Sequence, residues 1–330
     1  MSNLEKHPDE HPVPSARGAA VGSPGVEVLE ARLVPLGGPR AIEVRRTLPQ
    51  RSRSTIGAWC FADHYGPVTL GEEAGMDVPP HPHTGLQTVS WLFEGEIDHR
   101  DSVGSHQLVR PGELNLMTAG SGISHSEVST GGAPVLHGMQ LWVALPESAR
   151  GIAPFFEHHR GVRVDLPGAV VRVFVGGMLG ASVPASTFTP LLAAQIDLEP
   201  GASIDLPVDT GWEHGVLVDS GPVVIEGVEV ARSDLAYVAP GPQALRLSVG
   251  DAGGRVVLIG GEPFEEDLVM WWNFVGRRHD DIEAARERWQ ADVIGGGDPA
   301  GPFGTVTGYD GRALPAPTLP TVRLKPRRRV

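Results

Sequence analysis

One cysteine, two lysines and no long apolar run are the first things the 330-residue chain shows by their scarcity. The lone Cys60, set in "IGAWCFADHYGP", excludes a disulfide framework and reads as a buried, inert thiol. A length of about two domains can bury a self-sustaining core without staples. One thiol in so long a chain fits a reducing compartment. No segment approaches the ~18 consecutive apolar residues of a membrane span. The start, "MSNLEKHPDEHPVPSARG", has charges and prolines where a secretory leader needs an apolar stretch. The expectation is a cytoplasmic protein with no membrane association. Positive charge is also short: the formal net charge is -13, which argues against direct nucleic-acid binding through a basic face. The one basic cluster, the tail "RLKPRRRV", reads as a solvated terminus. Of 27 Lys plus Arg, Lys6 and Lys325 are the only lysines; so strong an arginine bias points to GC-rich codons and a bacterial source.

What is present is β-structure in a steady rhythm. From about Val26 to Gly261, short β-branched runs such as "TVSWLF", "EIDHRD", "LNLMT", "VVRVFVGG" and "RVVLIGG" alternate with turn chemistry such as "EG", "SVGS", "PGE" and "APGP". The rhythm repeats. "VSWLFEGEIDH" is similar to "HGVLVDSGPVV" and "GELNLMTAG" to "RSDLAYVAPG", with Gly120 falling on Gly241, so two related β-barrels in one chain are expected. The period changes only in "DDIEAARERWQADV", where Ile282, Ala285 and Trp289 share a helical face behind a cap at Asp280; this helix is expected to pack on a barrel. The reading is all-β, two tandem barrels with a short C-terminal helix. Residues 1–25 form a disordered tail, 26–150 the first barrel, 151–190 a connecting segment, 191–276 the second barrel, and 277–330 the helix and tail.

The chemistry concentrates in "HPHTG". Side chains alternate along a strand, so His81, His83, Gly85, Gln87, Val89, Trp91 and Phe93 would share one face, read as the inward one. Two imidazoles buried there without partners would cost several kcal/mol. In "GISHSE", His125 and Glu127 repeat the same spacing and can fold back beside the first pair. Any one of these histidines alone could be satisfied by a strand carbonyl. Two such pairs in one repeat favour a divalent transition-metal site with three imidazole nitrogens, one carboxylate oxygen and open positions, since no thiolate is available to close a structural zinc shell. Val89, Trp91, Phe93 and Met117 would wall the pocket, and His137 would border it.

"DHYGP", "HPHTGLQTVSWLFEGEIDHRDS", "RPGELNLMTAGSGISHSE" and "HGMQLWVALP" together resemble the pirin family of the cupin superfamily, and "GGEPFEEDLVMWWNFVG" is similar to the end of the family's second barrel. The resemblance spans about residues 26 to 295. It implies a bicupin, two double-stranded β-helix (jelly-roll) barrels face to face, with one divalent metal per chain in the N-terminal barrel. Fe(II) is expected, with Ni, Mn, Cu or Zn as alternatives, held by His81, His83, His125 and Glu127. It also implies quercetin 2,3-dioxygenase-like activity on a flavonol-like or other small enolic substrate with O2, with Glu127 as ligand and base. The alternative is an iron-binding, redox-responsive regulator of a transcription factor or metabolic enzyme, with a protein partner.

The chain departs from the family's HPHRGFE at Thr84 and Gln87, which puts the substrate preference in question. In the second barrel the repeat offset places Arg246 and Ser248 under His125 and Glu127, and Pro207 and Asp209 under His81 and His83. No ligand survives there, and His214 reads as a structural or rim histidine.

Overall fold

The computed structural model describes residues 11–12, 25–36, 42–71 and 75–326. The expected N-terminal tail lies outside the described residues except at 11–12 and 25, as does the basic end of the chain from 327 onward. Two sandwiches of one eight-stranded and one four-stranded sheet make up the molecule, an all-β tandem of barrels. In the first, the large sheet runs in the spatial order His11–Pro12, Arg32–Leu36, Ile42–Leu48, Trp59–Thr69, Val135–Ala144, Leu86–Glu94, Glu113–Thr118 and Phe155–Arg160. The small sheet opposite it runs Asp77–His83, Ile123–Ser129, Ile97–Asp101, His106–Val109. The second barrel repeats the plan with Ser203–Pro207, Ala244–Val249, Val223–Ile225 and Val228–Val230 as its small sheet.

The large sheets pack against each other, which explains why Leu86–Glu94 is buried on both sides through Leu92. One face of that strand fills its own barrel and the other meets the second barrel. Trp91 stacks on Phe174 with ring centroids 4.2 Å apart, and its indole N–H donates to Gln195 Oε1 at 2.9 Å. The Trp59 indole donates to the Gly260 carbonyl at 3.1 Å. Buried Glu213 accepts from the Gly57 amide at 2.8 Å and the Tyr237 hydroxyl at 3.0 Å. One apolar cluster runs through both halves, from Leu48 and Trp91 to Leu217 and Ile259. Cys60 lies inside it, and burial pushes its thiol up to about 12, the inert state read from the sequence.

The sequence boundaries divide the chain differently from the sheets. Val26–Leu29, assigned to the first barrel, pairs with Leu235–Val238 of the second. Residues 151–190 are not a plain connector: Phe155–Arg160 completes the first large sheet, and Val162–Leu166 opens the second. The crossing is at Gly161, where a Cβ would stand 2.8 Å from the Trp91 ring. Conversely, Val269, Trp272 and Phe274, assigned to the second barrel, bury themselves with Val44, Tyr65 and Val78 of the first. The helix His279–Trp289 follows them there, with Ile282 and Trp289 buried as its spacing predicts. Its start is held by Asp281, not Asp280: Oδ2 of Asp281 accepts the amides of Arg277 and Arg278 at 2.8 and 3.0 Å. The chain then straps the first barrel, Leu314 N–H donating to the Pro80 carbonyl at 2.8 Å and Tyr309 Oη to Asp77 Oδ1 at 2.8 Å. Each barrel is completed by the far end of the chain.

Candidate metal centre

The strand Asp77–His83 carries prolines at 79, 80 and 82 and lies at the edge of its sheet, where missing N–H donors cost least. Its neighbour Ile123–Ser129 sets His125 opposite His81, and a bulge beside the two prolines then moves Glu127 opposite Val78. Bulges re-aim side chains in this way. The three imidazoles meet with ring centroids 4.4 to 5.0 Å apart. His81 Nδ1 lies 2.9 Å from the Pro79 carbonyl; a carbonyl only accepts, so Nδ1 carries the proton and Nε2 keeps its lone pair. The Nε2 atoms of His83 and His125 are 3.1 Å apart. His83 has the Asn273 backbone as its hydrogen-bonding neighbour. Burial holds His81 near 3 and His83 and His125 well below the ordinary imidazole value, so all three rings are neutral at physiological pH.

Glu127 shares a ligand group with His125 but not with His81 or His83. Two groups of ligand atoms lie within 4.8 Å of one another: His81, His83 and His125, and His99, His125 and Glu127. Glu127 Oε1 accepts from Ser90 Oγ at 3.0 Å. Burial pushes its carboxyl above the usual range, partly countered by His99 and the Ser90 hydrogen bond. His99, which by sequence spacing shows no pairing comparable to the two ligand pairs, stands beside Glu127 in the structure. His99 sits directly opposite Glu127 across the sheet, with Asp101 opposite His125. Its Nδ1 is 3.4 Å from His125 Nδ1, and its Nε2 is 3.3 Å from Asp101 Oδ2. The alternation in "IDHRD", buried at Ile97, His99 and Asp101, was the available signal.

The expected pocket wall is incorrect. Gly85 has φ +70°, a left-handed turn that ends one strand and starts another in the opposite sheet, so the parity of His81 and His83 does not carry past it. Trp91 and Val89 face the second barrel. Gln87 donates to Thr118 Oγ1 at 2.8 Å and to the Ser186 carbonyl at 2.9 Å, away from the imidazoles. Met117 packs with Ala119 and Ile123, and Phe93 lies edge-on to His137 at 4.9 Å. His137 borders the barrel junction, not the cavity. Thr84 is at the turn, its carbonyl accepting from the Val275 amide. The cavity itself, about 30 Å³, is lined by Phe61, Tyr65, Met76, Gln140 and Trp142 beside the histidines and Glu127. Phe61 stacks on Trp142 at 4.1 Å, and Trp142 meets His83 edge-on at 5.2 Å. Tyr65 Oη is buried without a hydrogen-bond partner.

Neutral, buried imidazoles whose Nε2 atoms face one another are costly as hydrogen-bonding groups, about 1–3 kcal/mol for each nitrogen left unsatisfied. They suit a divalent transition ion, for which three nitrogens and a nearby carboxylate are a familiar donor set. The residues fit such an ion.

In the second barrel the same two strands turn leucines inward. Leu245, Leu247, Ile204 and Leu206 form its core, while Arg246 pairs with Asp205 at 2.8 Å, their side chains 67% and 58% exposed. The repeat offset is therefore one residue out of phase on both strands, which exchanges the two faces. His214 is buried, its nitrogens without partners, and burial lowers it to about 4.

Residues 41–143 match the pirin family model, and residues 193–295 match that of the pirin C-terminal cupin domain. A Pseudomonas aeruginosa protein named as a candidate quercetin 2,3-dioxygenase is 41% identical over 295 residues, 88% of this chain and 89% of its own length. Human pirin is 33% identical over 251 residues, covering 73% of this chain and 84% of its own. The crystal structure of a quercetin 2,3-dioxygenase from Acinetobacter baumannii superposes with a TM-score of 0.85 at 38% identity, over 92% of this chain and 98% of that one.

Proposed function

The chain belongs to the pirin family of two-barrel cupins, and from that premise we propose that it is a metal-dependent dioxygenase acting with O2 on a flavonol-like or other small enolic substrate. The carrying observation is the meeting of three neutral imidazoles beside the buried carboxylate of Glu127 in an aromatic-walled cavity. His81, His83 and His125, joined by Glu127, would hold the ion; the family resemblance implies Fe(II), while an all-N/O set discriminates poorly between it and Ni, Mn, Cu or Zn. Such an ion supplies Lewis acidity toward an enolic oxygen and a path for electrons between substrate and dioxygen. Glu127 would accept the enolic proton at its carboxylate. Ser90 fixes the Glu127 rotamer through Oε1. Tyr65 Oη, lacking any partner, donates to a substrate oxygen, and the Phe61–Trp142 stack gives a flat aromatic wall.

The test is activity per bound metal in Glu127→Gln, using O2 uptake over a panel of flavonols and smaller enols. We expect a loss of about 10²- to 10⁴-fold beyond any loss of metal, the usual effect of removing a general base; an unchanged ratio leaves Glu127 a ligand only. One observation favours a second reading. A cavity of about 30 Å³ takes an ion and a water but not a flavonol unless its walls move. That suits a regulator whose bound iron changes the protein's affinity for a partner, and such a protein would bind metal and turn over nothing in the panel.

A further inference from the structure

A second cluster of ligand-type side chains lies outside the cavity, where the two large sheets meet. His64 comes from Trp59–Thr69, His137 from Val135–Ala144, and Asp219 from Glu213–Ser220 of the other barrel. Asp219 Oδ1 is 2.7 Å from His64 Nε2 and 2.6 Å from His137 Nε2, and the two nitrogens are 3.3 Å apart. All three residues are buried. We propose that they form a second metal site, which takes one divalent ion of zinc-like preference between the barrels.

The geometry carries this in three ways. Ligands about 2.0–2.1 Å from a tetrahedral ion stand roughly 3.3–3.4 Å from each other, the separation the two imidazoles already have. As a hydrogen-bonded group the cluster is crowded, because both rings must aim an N–H at one oxygen. An ion replaces both contacts once Oδ1 withdraws by about 0.7 Å, the difference between the present spacing and that edge.

The outer partners also fit. His64 Nδ1 is 3.1 Å from Ser233 Oγ, a hydroxyl that accepts as easily as it donates, so the ring can change tautomer and free its Nε2 lone pair. Arg255 Nη1 holds the other carboxylate oxygen of Asp219 at 3.2 Å, and Arg232 Nε donates to the Asp219 carbonyl at 2.8 Å.

Access is through His137, whose side chain is 11% exposed. The donor set of two imidazoles and one carboxylate leaves a fourth position for solvent and lacks the thiolates that copper(I) prefers. The guanidinium groups of Arg232 and Arg255 place positive charge beside the ion, so this site fills after the barrel centre and more weakly. The inference is independent of the proposed reaction, since the ion would join the barrels and take no part in turnover.

The probe is Co²⁺ alone, titrated into the full-length chain after chelator treatment and read by visible absorption and elemental ratio. Wild type should take up about two ions per chain, and the variant carrying His81→Ala and His125→Ala about one, with the intense visible bands of a four-coordinate ion. Adding His137→Gln to that variant should abolish the remaining bands. A folded His81→Ala, His125→Ala protein that binds no Co²⁺, or whose bands survive His137→Gln, overturns the proposal. If the multiple variants do not fold, His137→Gln alone decides: the uptake should fall from about two ions to about one, and an unchanged ratio rejects the site.

Discussion

The small sheet of the first barrel turns His81, His83, His125, His99 and Glu127 toward its interior, whereas the matching sheet of the second turns Ile204, Leu206, Leu245, Leu247 and Ile225. The strand order is the same. Each buried leucine or isoleucine contributes about 1.5–3 kcal/mol, so the second sheet is built to stabilise. The first gives up that contribution for groups that are costly until something binds them. Their coexistence in one chain shows how a repeated fold can keep chemistry in one copy and let the other anchor it.

The strongest way to break this division of labour is at the joint. Trp91→Ala removes the ring stacked on Phe174 and the hydrogen bond to Gln195. It should cost about 3–5 kcal/mol in a chemical melt, the usual loss for a buried aromatic. If the barrels were independent, the loss would fall on the first alone and the melt would split in two. A second experiment sets the sheets against each other. Leu247→Ala should cost about 2–5 kcal/mol of stability and leave metal content unchanged, while His125→Ala should lose metal and little stability. The reverse pattern in either variant would undo the comparison.

Acid offers a gentler probe of the junction. Burial lowers His64 below its ordinary 6.5, so the unfolded chain binds more protons and stability falls as pH drops below that value. Burial alone would raise Asp219, but hydrogen bonds from His137 and His64 together outweigh it and leave its carboxyl well below its ordinary 3.8. That contribution is present above 3.8 and is lost as pH falls through the depressed value. Both groups therefore act in the same direction. Denaturation midpoints of chelator-treated protein should decline more steeply with acid in wild type than in His64→Gln. The smallest effect belongs to Arg246→Ala and Asp209→Ala, at exposed positions, which should change stability by less than about 0.5 kcal/mol and metal content not at all.

Strand rhythm, the internal repeat, the helix and the two histidine-bearing pairs were all legible in the chain, because alternation and turn chemistry are local properties. The pocket wall was not. A single left-handed glycine, Gly85, moves the chain to the opposite sheet, and every parity argument carried across it points the wrong way. The same sensitivity undid the repeat register: a shift of one residue put exposed Arg246 where Leu245 or Leu247 belonged. His99 shares a face with Asp101 two residues on, a pairing visible in "IDHRD", but its place beside Glu127 is set only across strands. The exchange of Val26–Leu29 for residues 269–316 depends on tertiary packing that no local pattern encodes.

That exchange bears on how the chain is made. Strands of the first barrel are all synthesised by Arg160, yet the residues that cover them, Trp272, Phe274, Trp289 and Leu314, come more than a hundred positions later. At roughly 5–20 residues per second, a nascent first barrel waits about 5–30 s on the ribosome with that surface bare. During this interval Asp77–His83 is an open edge, since its outer carbonyl at Pro80 has yet to meet Leu314. Its three prolines, Pro79, Pro80 and Pro82, offer no N–H to a passing strand, so the residues that frame the histidines also protect the unfinished molecule from its neighbours on the polysome.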